Sequence, residues 1–203
     1  MEFMKSKKNK FRSKGLTLIE LLVVLALSAL IILALVTLYT SGQRYFINQD
    51  AQAQVLREGR YVFDWIVRDI KEGIQVVQNW NGYTTSNNCI ILQVPSVDAS
   101  GLVIDIQNEF DYIIYRQKPE DPKRLERILD AKDGVSSRVD SIRQLAERVE
   151  SFHLSSEGME LSSIGDLSTV FSIDVGLTTK QNRYGRDFQE TLNTVVKLRN
   201  KPL

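Results

Sequence analysis

The most apolar segment of the sequence reads LTLIELLVVLALSALIILALVTLY and covers residues 16–39. Its only charged residue is Glu20. A helix of that length would extend about 36 Å, whereas the hydrocarbon core of a bilayer is ~30 Å thick. We therefore predict a transmembrane helix over residues 16–39.

The charge on either side of this segment is uneven. Residues 1–15 contain six basic residues and one acid, Glu2, while residues 16–203 carry 20 basic and 24 acidic residues. Basic residues beside a membrane span stay on the cytoplasmic side. The pattern predicts a single pass through the inner (cytoplasmic) membrane, with the N-terminus cytoplasmic and the body periplasmic or extracytoplasmic.

The apolar segment has two simpler explanations. A secretory signal peptide has an apolar region of ~7–15 residues, and this run is longer. Ala26-Leu27-Ser28 resembles a small-x-small cleavage site, but apolar sequence continues after it. A plain one-span anchor explains the length and the charge bias, but it does not explain Glu20. Charged side chains are costly inside a bilayer, so Glu20 calls for a partner. No cation lies within the segment, which points to a partner on another chain.

The junction between the basic arm and the apolar segment resembles the class III leader junction of type IV pilins and pseudopilins. Lys14-Gly15 is followed by Leu16-Thr17-Leu18-Ile19-Glu20 and then by an apolar helix, although Leu16 stands where the family usually has phenylalanine. The resemblance implies that prepilin peptidase cuts after Gly15 and methylates the new amino terminus at Leu16. It also implies that Glu20 pairs with the terminal amine of a neighbouring subunit during assembly.

The helical pattern continues past the membrane segment. Apolar residues recur at Val55, Val62, Ile66, Ile70, Ile74 and Val77 with helical spacing. We predict one helix over residues 16–77, whose second half is amphipathic. The predicted organisation is a leader (1–15), a transmembrane half-helix (16–39), an amphipathic half-helix (40–77) and a globular head (78–203).

The head is predicted to be α+β, with the long N-terminal helix packed on a mostly antiparallel sheet. Short apolar or alternating runs predict strands at 89–94, 102–106, 111–116, 125–129, 151–155, 169–177 and 191–198. Residues 139–149 have helical spacing, and the hydrophilic residues 178–187 are interpreted as a loop.

Several segments of the head and helix resemble the subgroup that contains PilW-type minor pilins and the J-type minor pseudopilin of type II secretion. These segments are residues 63–70, 112–116, 145–152 and 195–200. The chain that would remain after cleavage is also larger than a typical major pseudopilin. The resemblance implies a minor subunit.

A few residues could serve a catalytic, metal-binding or nucleic-acid-binding function, and each of them also has a structural interpretation. His153 has no second histidine beside it, so a structural strand residue is predicted, and Cys89 is interpreted as a buried free thiol. Scattered acids could suggest calcium, but they lack EF-hand spacing and are interpreted as solvated loop residues: Asp98, Asp105, Glu109, Asp111, Asp130, Asp133 and Asp140. A small basic group could contact DNA or lipid, although a plain hairpin loop is favoured: Lys180, Arg183 and Arg186.

Together these observations predict a non-enzymatic structural subunit with no cofactor and no metal site. Its expected role is that of a minor component of a type IV pilus or type II secretion pseudopilus, possibly located at the tip. Its expected partners are prepilin peptidase, other pilins or pseudopilins, an inner-membrane assembly platform and membrane lipid; nucleic acid is not expected. Two alternatives stay open, a single-span anchored binding protein and a competence pilin that contacts DNA.

Overall fold

The computed structural model describes residues 17–104 and 109–199. Helix α1 (Leu18–Glu72) is followed by eleven strands and two short 3-10 helices within these residues. The chain divides into an N-terminal unit that ends at Ile47 and a C-terminal unit that begins at Asn48.

The N-terminal unit consists, in its described part, of the first portion of α1. Every residue from Thr17 to Ser41 is exposed, including the large apolar side chains of this range. The most apolar window of the helix has a mean hydropathy of 3.1, and none of it is buried in protein. A helix with this length and composition is able to cross a membrane, since lipid can cover the apolar surface that the protein leaves exposed.

The second portion of α1 has a buried stripe. Its members recur every three or four residues, as packing on one face of a helix requires: Ala51, Val55, Gly59, Val62, Ile66, Asp69 and Ile70. The predicted continuation to residue 77 is wrong, because the helix ends at Glu72 and Gln75–Val76 form strand β1. Gly73 has a low helix propensity, and the N–H groups of Ile74 and Val77 donate to carbonyls of Gln93 and Ile91 instead.

The strands form three antiparallel sheets. In chain order they are β1 (Gln75–Val76), β2 (Asn79–Trp80), β3 (Tyr83–Thr84), β4 (Cys89–Pro95), β5 (Phe110–Lys118), β6 (Asp121–Asp130), β7 (Ser141–Ala146), β8 (Val149–Ser156), β9 (Met159–Glu160), β10 (Ser172–Arg183) and β11 (Arg186–Lys197). The five-stranded sheet has the order β1-β4-β5-β6-β7, the four-stranded sheet has the order β11-β10-β8-β9, and β2 pairs with β3. The α+β class with a long N-terminal helix is confirmed.

The main core of the C-terminal unit joins the buried stripe of α1 to both larger sheets. A second, smaller core contains Ile91, Ile114 and Ile128, whose side chains lie on the other face of the five-stranded sheet. Trp80 and Tyr83 of the β2–β3 hairpin pack against this small core. The five-stranded sheet is therefore covered on both faces, which explains why β4 is a continuous apolar run instead of an alternating one.

The predicted helix at residues 139–149 is wrong. Residues 141–146 form strand β7, which pairs with β6, and Val149 begins strand β8. The apolar residues that suggested a helix do not share a buried face, because Leu145 and Ala146 are buried while Ile142 is 71% exposed. Pairing with β6 therefore outweighs a short local periodicity.

The predicted loop at residues 178–187 is also wrong. Strands β10 and β11 continue through this region and pair as far as Arg183 and Arg186. The only turn between them is Tyr184-Gly185, where φ is 51° and 74°, as a two-residue hairpin of the I′ type requires. The residues looked like a loop because this end of the hairpin is polar and exposed.

The remaining strand predictions have mixed outcomes. Those at 89–94, 111–116, 125–129, 151–155 and 191–198 are confirmed. The strand predicted at 169–177 begins at Ser172, because Leu167–Thr169 form a 3-10 helix. In the strand predicted at 102–106, Val103 makes a single bridge to Val97, and residues 105 and 106 lie outside the described residues.

Candidate functional site

The start of helix α1 is held by three hydrogen bonds between Thr17 and Glu20, which run in both directions. The Thr17 N–H and Oγ1 donate to Glu20 Oε2 at 2.8 and 2.9 Å, and the Glu20 N–H donates to Thr17 Oγ1 at 3.3 Å. This is a capping box, in which a threonine and a glutamate three residues later satisfy backbone donors of the first helical turn. Glu20 therefore has a structural role at the helix start within its own chain. Gly15 and Leu16, the predicted cleavage and methylation positions, lie outside the described residues.

The second portion of α1 carries a buried carboxylate, Asp69, which is 1% exposed. The Tyr115 hydroxyl and Arg127 Nε each donate to Asp69 Oδ2 at 2.6 Å, and Arg68 Nη2 lies 3.3 Å from Oδ1. Burial, together with the charge of Asp69, raises the pKa of Tyr115 well above its ordinary value, so the phenol remains a proton donor. This network joins α1 to strands β5 and β6.

Sequence reasoning missed Asp69. The signal was present, because Asp69 lies seven residues after Val62 and three after Ile66, and so belongs to the apolar stripe and not to the polar face. An acid inside such a stripe indicates a buried ionic contact, although its partners come from strands that the spacing does not identify.

A second acid of α1, Glu58, holds the turn between β7 and β8. Its Oε1 accepts from the Glu147 and Arg148 N–H groups, and its Oε2 lies 2.7 Å from Arg148 Nη1. Asp69 therefore holds the helix to the five-stranded sheet, and Glu58 holds it to the turn that leads from this sheet into the four-stranded one.

Asp111 corrects the prediction of a solvated loop acid. It is fully buried and accepts from Ser96 Oγ, Ser136 Oγ, the Lys132 N–H and Arg138 Nη1 at 2.7–2.9 Å. These four donors compensate the cost of burying the charge, and they hold the segment between β6 and β7 against β5.

The other acids have local structural contacts or lie at the surface. Asp98 accepts from the Ser100 and Leu102 N–H groups, Asp130 from Trp80 Nε1, and Asp140 from the Ala131 N–H. Glu109 contacts Lys132, Asp133 is exposed, and Asp105 lies outside the described residues. Residues 17–104 and 109–199 contain no group of three or more His, Cys, Asp or Glu side chains that could hold a metal ion.

The basic residues of the predicted DNA or lipid contact lie at the exposed end of the β10–β11 hairpin. Arg183 and Arg186 are exposed and opposite each other in the strand register. Lys180 is 3.2 Å from Asp187 and 3.9 Å from Glu150, so acids partly neutralise it. Hydrogen bonds from Asn182 and Lys180 lower the pKa of Asp187, which keeps this partner ionised. The structure brings two of the three cations together, and a contact with DNA or lipid stays a prediction.

Cys89 and His153 both lie in strands. Cys89 is half-buried at the start of β4, where burial raises the pKa of its thiol to about 11 despite the opposing charge of Arg116. His153 is exposed in β8 and lies opposite Gly176. Among residues 17–104 and 109–199, neither side chain belongs to a group of three or more His, Cys, Asp or Glu residues.

Comparison with known families gives one match. Residues 10–36 match the model of the prokaryotic N-terminal methylation motif. No curated protein and no solved structure matches the chain. The motif supports a type IV pilin-like protein, which is a structural subunit, and it implies processing by prepilin peptidase and assembly with other pilins. With the apolar helix that follows, it fits a membrane-anchored pilin.

Proposed function

We propose that this protein is a minor structural subunit of a type IV pilus or a type II secretion pseudopilus. The observation that carries the proposal is the coincidence of the methylation motif at residues 10–36 with a helix whose apolar residues between Thr17 and Ser41 are all exposed. Such a helix needs lipid before assembly and neighbouring helices after it. The basic arm directs the N-terminus to the cytoplasm and the head to the opposite side.

Processing would occur between Gly15 and Leu16, followed by methylation of the Leu16 amine. Cleavage would leave a cation at the end of an apolar helix, and Glu20 supplies an anion about one helical turn away. A neighbouring subunit that is displaced along the filament could bring its Glu20 to this amine. Two paired charges in a medium of low dielectric constant cost less than two isolated ones, so such pairing would favour assembly.

Within the pilin-like proteins, we assign the chain to the subgroup of PilW-type minor pilins and J-type pseudopilins, with a position near the filament tip. The support is the resemblance of residues 63–70 and 112–116. Residues of both segments take part in the Asp69 network, so the resemblance falls on structurally important positions.

Mass spectrometry of the N-terminal peptide from the membrane fraction tests the proposed processing. We expect a peptide that starts at Leu16 and carries one methyl group, and an intact arm in a strain without prepilin peptidase. An intact arm in cells with active peptidase would contradict the proposal and would favour a single-span anchored binding protein. If the methylated peptide is found, the neighbouring genes would distinguish a pilus from a secretion system.

A further inference from the structure

Three arginine side chains surround one tryptophan on the surface of the C-terminal unit. The guanidinium carbons of Arg68, Arg127 and Arg143 lie 3.9, 5.1 and 5.0 Å from the centre of the Trp65 ring. Tyr61, which is 48% exposed, meets the same ring edge-on at 6.3 Å between centroids. We call these five residues the Trp65 cluster.

The positive charge of the Trp65 cluster is only partly compensated. Asp69 is paired with Arg68 and Arg127, and it is already occupied by the Tyr115 hydroxyl as well. Arg143 forms no ion pair with any residue in 17–104 or 109–199, and it lies opposite Arg127 in the β6–β7 register. Like charges at opposing positions of two strands are unfavourable, so the cluster keeps an excess of positive charge.

A purely structural role explains part of this arrangement. Stacking of cations on Trp65, together with the ion pairs of Asp69, would fix α1 to β6 through Arg68 and Arg127. Arg143 also lies over the Trp65 ring, but it is exposed, and stacking leaves its charge opposite Arg127 without an ion pair in the described chain. An external carboxylate would convert that repulsion into attraction.

We infer that the Trp65 cluster is a docking site for an acidic side chain of a neighbouring filament subunit. Guanidinium groups bind carboxylates through paired hydrogen bonds, and the half-exposed rings of Tyr61 and Trp65 provide apolar surface beside them. Tyrosine, tryptophan and arginine are the residues enriched at the centres of protein interfaces. Phosphate would use the guanidinium groups alone, whereas a protein partner would also cover the rings. The inference rests on the proposed function, which places this chain among other subunits.

Photo-cross-linking in the producing cells tests the inference on the full chain. Tyr61 is replaced by p-benzoylphenylalanine, and adducts are compared in three backgrounds: unchanged, Arg143→Glu and Lys197→Glu. Lys197 is an exposed cation of the four-stranded sheet. Lys197→Glu therefore makes the same change of charge as Arg143→Glu, but outside the Trp65 cluster. Tryptophan fluorescence checks that each variant is folded, and N-terminal mass spectrometry records processing separately.

We expect an adduct with a second pilin-like protein, cross-linked near an Asp or Glu, that falls about tenfold or more with Arg143→Glu and is unchanged with Lys197→Glu. Reversing that acid in the partner to Lys should restore the adduct in the Arg143→Glu background. A lipid adduct, an equal loss in both variants or no adduct would overturn the inference. If the N-terminus is unprocessed but the charge-dependent adduct forms, the docking site stands and the proposed function fails.

Discussion

At the scale of single residues, Asp69 has the largest predicted effect on stability. Replacing it by asparagine would leave Arg127, whose side chain is only 11% exposed, without its anion. Removing one member of a buried ion pair costs about 3–5 kcal/mol, so we expect Asp69→Asn to lower the free energy of unfolding by about 3 kcal/mol. Urea unfolding of the full chain in detergent, followed by tryptophan fluorescence, measures this change.

Asp64→Asn is the matched control, because Asp64 is exposed on the same helix. Its effect should stay within about 0.5 kcal/mol, as for most surface substitutions. Equal stabilities of the two variants would show that the Asp69 network contributes little.

The Cys89 thiol gives a prediction that depends on its pKa. Because burial raises this pKa to about 11, the group is protonated in the folded protein at pH 8, and only the thiolate reacts with iodoacetamide. We expect alkylation at pH 8 to be roughly 200-fold slower in the folded chain than in urea, where the pKa returns to about 8.5. Mass spectrometry over time measures both rates, and similar rates would refute the buried environment.

At this scale, the contacts of the acids differ in how far they extend along the chain. Thr17 and Glu20 are three residues apart, which is the spacing of a capping box, but the sequence analysis considered only a partner for Glu20 on another chain. Asp111 collects donors from positions 96, 132, 136 and 138, and only the fold brings these together. An isolated acid near loops therefore gave no indication that it is buried.

At the scale of elements, Gly59 allows α1 to approach the β10–β11 hairpin closely. A Cβ at this position would lie 3.2 Å from Thr179 Oγ1 and 3.4 Å from Leu192 Cδ1. Thr179 cannot move freely, because it is buried and its hydroxyl donates to the Val55 carbonyl. The crowding should outweigh the ~1 kcal/mol that alanine gains in helix propensity, so we expect Gly59→Ala to destabilise the C-terminal unit by about 1 kcal/mol.

Gly42→Ala tests the same chemical change at an open position of the same helix. Apart from the neighbouring backbone of the helix itself, no atom of the described residues lies within 4 Å of a Cβ there. Chemical denaturation monitored by fluorescence of Trp65 and Trp80 should therefore show no loss of stability for Gly42→Ala, and any change should be a gain of up to ~1 kcal/mol from helix propensity. A stabilising effect of Gly59→Ala would mean that the helix and the hairpin separate easily.

The elements that were predicted wrongly share one property: pairing with distant strands determined them. Residues 139–149 have a helical spacing of apolar residues, but the free edge of β6 pairs with them as strand β7. Residues 178–187 are hydrophilic, but they form strands. Here β10 and β11 continue the pairing that apolar residues of the same two strands begin farther from the turn. Strands such as 89–94 were predicted correctly because their apolar run is long enough to decide the structure locally.

At the scale of the whole molecule, the two ends of the helix differ in how far sequence determines their role. The N-terminal part was recognisable from its composition alone, since few structures other than a membrane span contain such a run. The amphipathic part was recognised as helix, but its acids Glu58 and Asp69 and the surface formed by Trp65 required the fold. A surface formed by side chains from one helix and two strands leaves no recognisable pattern in the sequence.

The dual position of Glu20, as a helix cap and as the proposed partner of an amine, allows the two roles to be separated in the whole subunit. Glutamine also serves at the third position of a capping box, so Glu20→Gln should retain the bond from the Thr17 N–H while removing the charge. Thr17→Val removes the hydroxyl that donates to Glu20 and leaves the charge in place.

If charge pairing drives assembly, Glu20→Gln should reduce incorporation into filaments at least tenfold while cleavage after Gly15 continues, and Thr17→Val should have the smaller effect. Immunoblots of sheared filaments and of the membrane fraction measure incorporation and processing. The opposite order would mean that the helix cap, and not the charge, is what assembly requires.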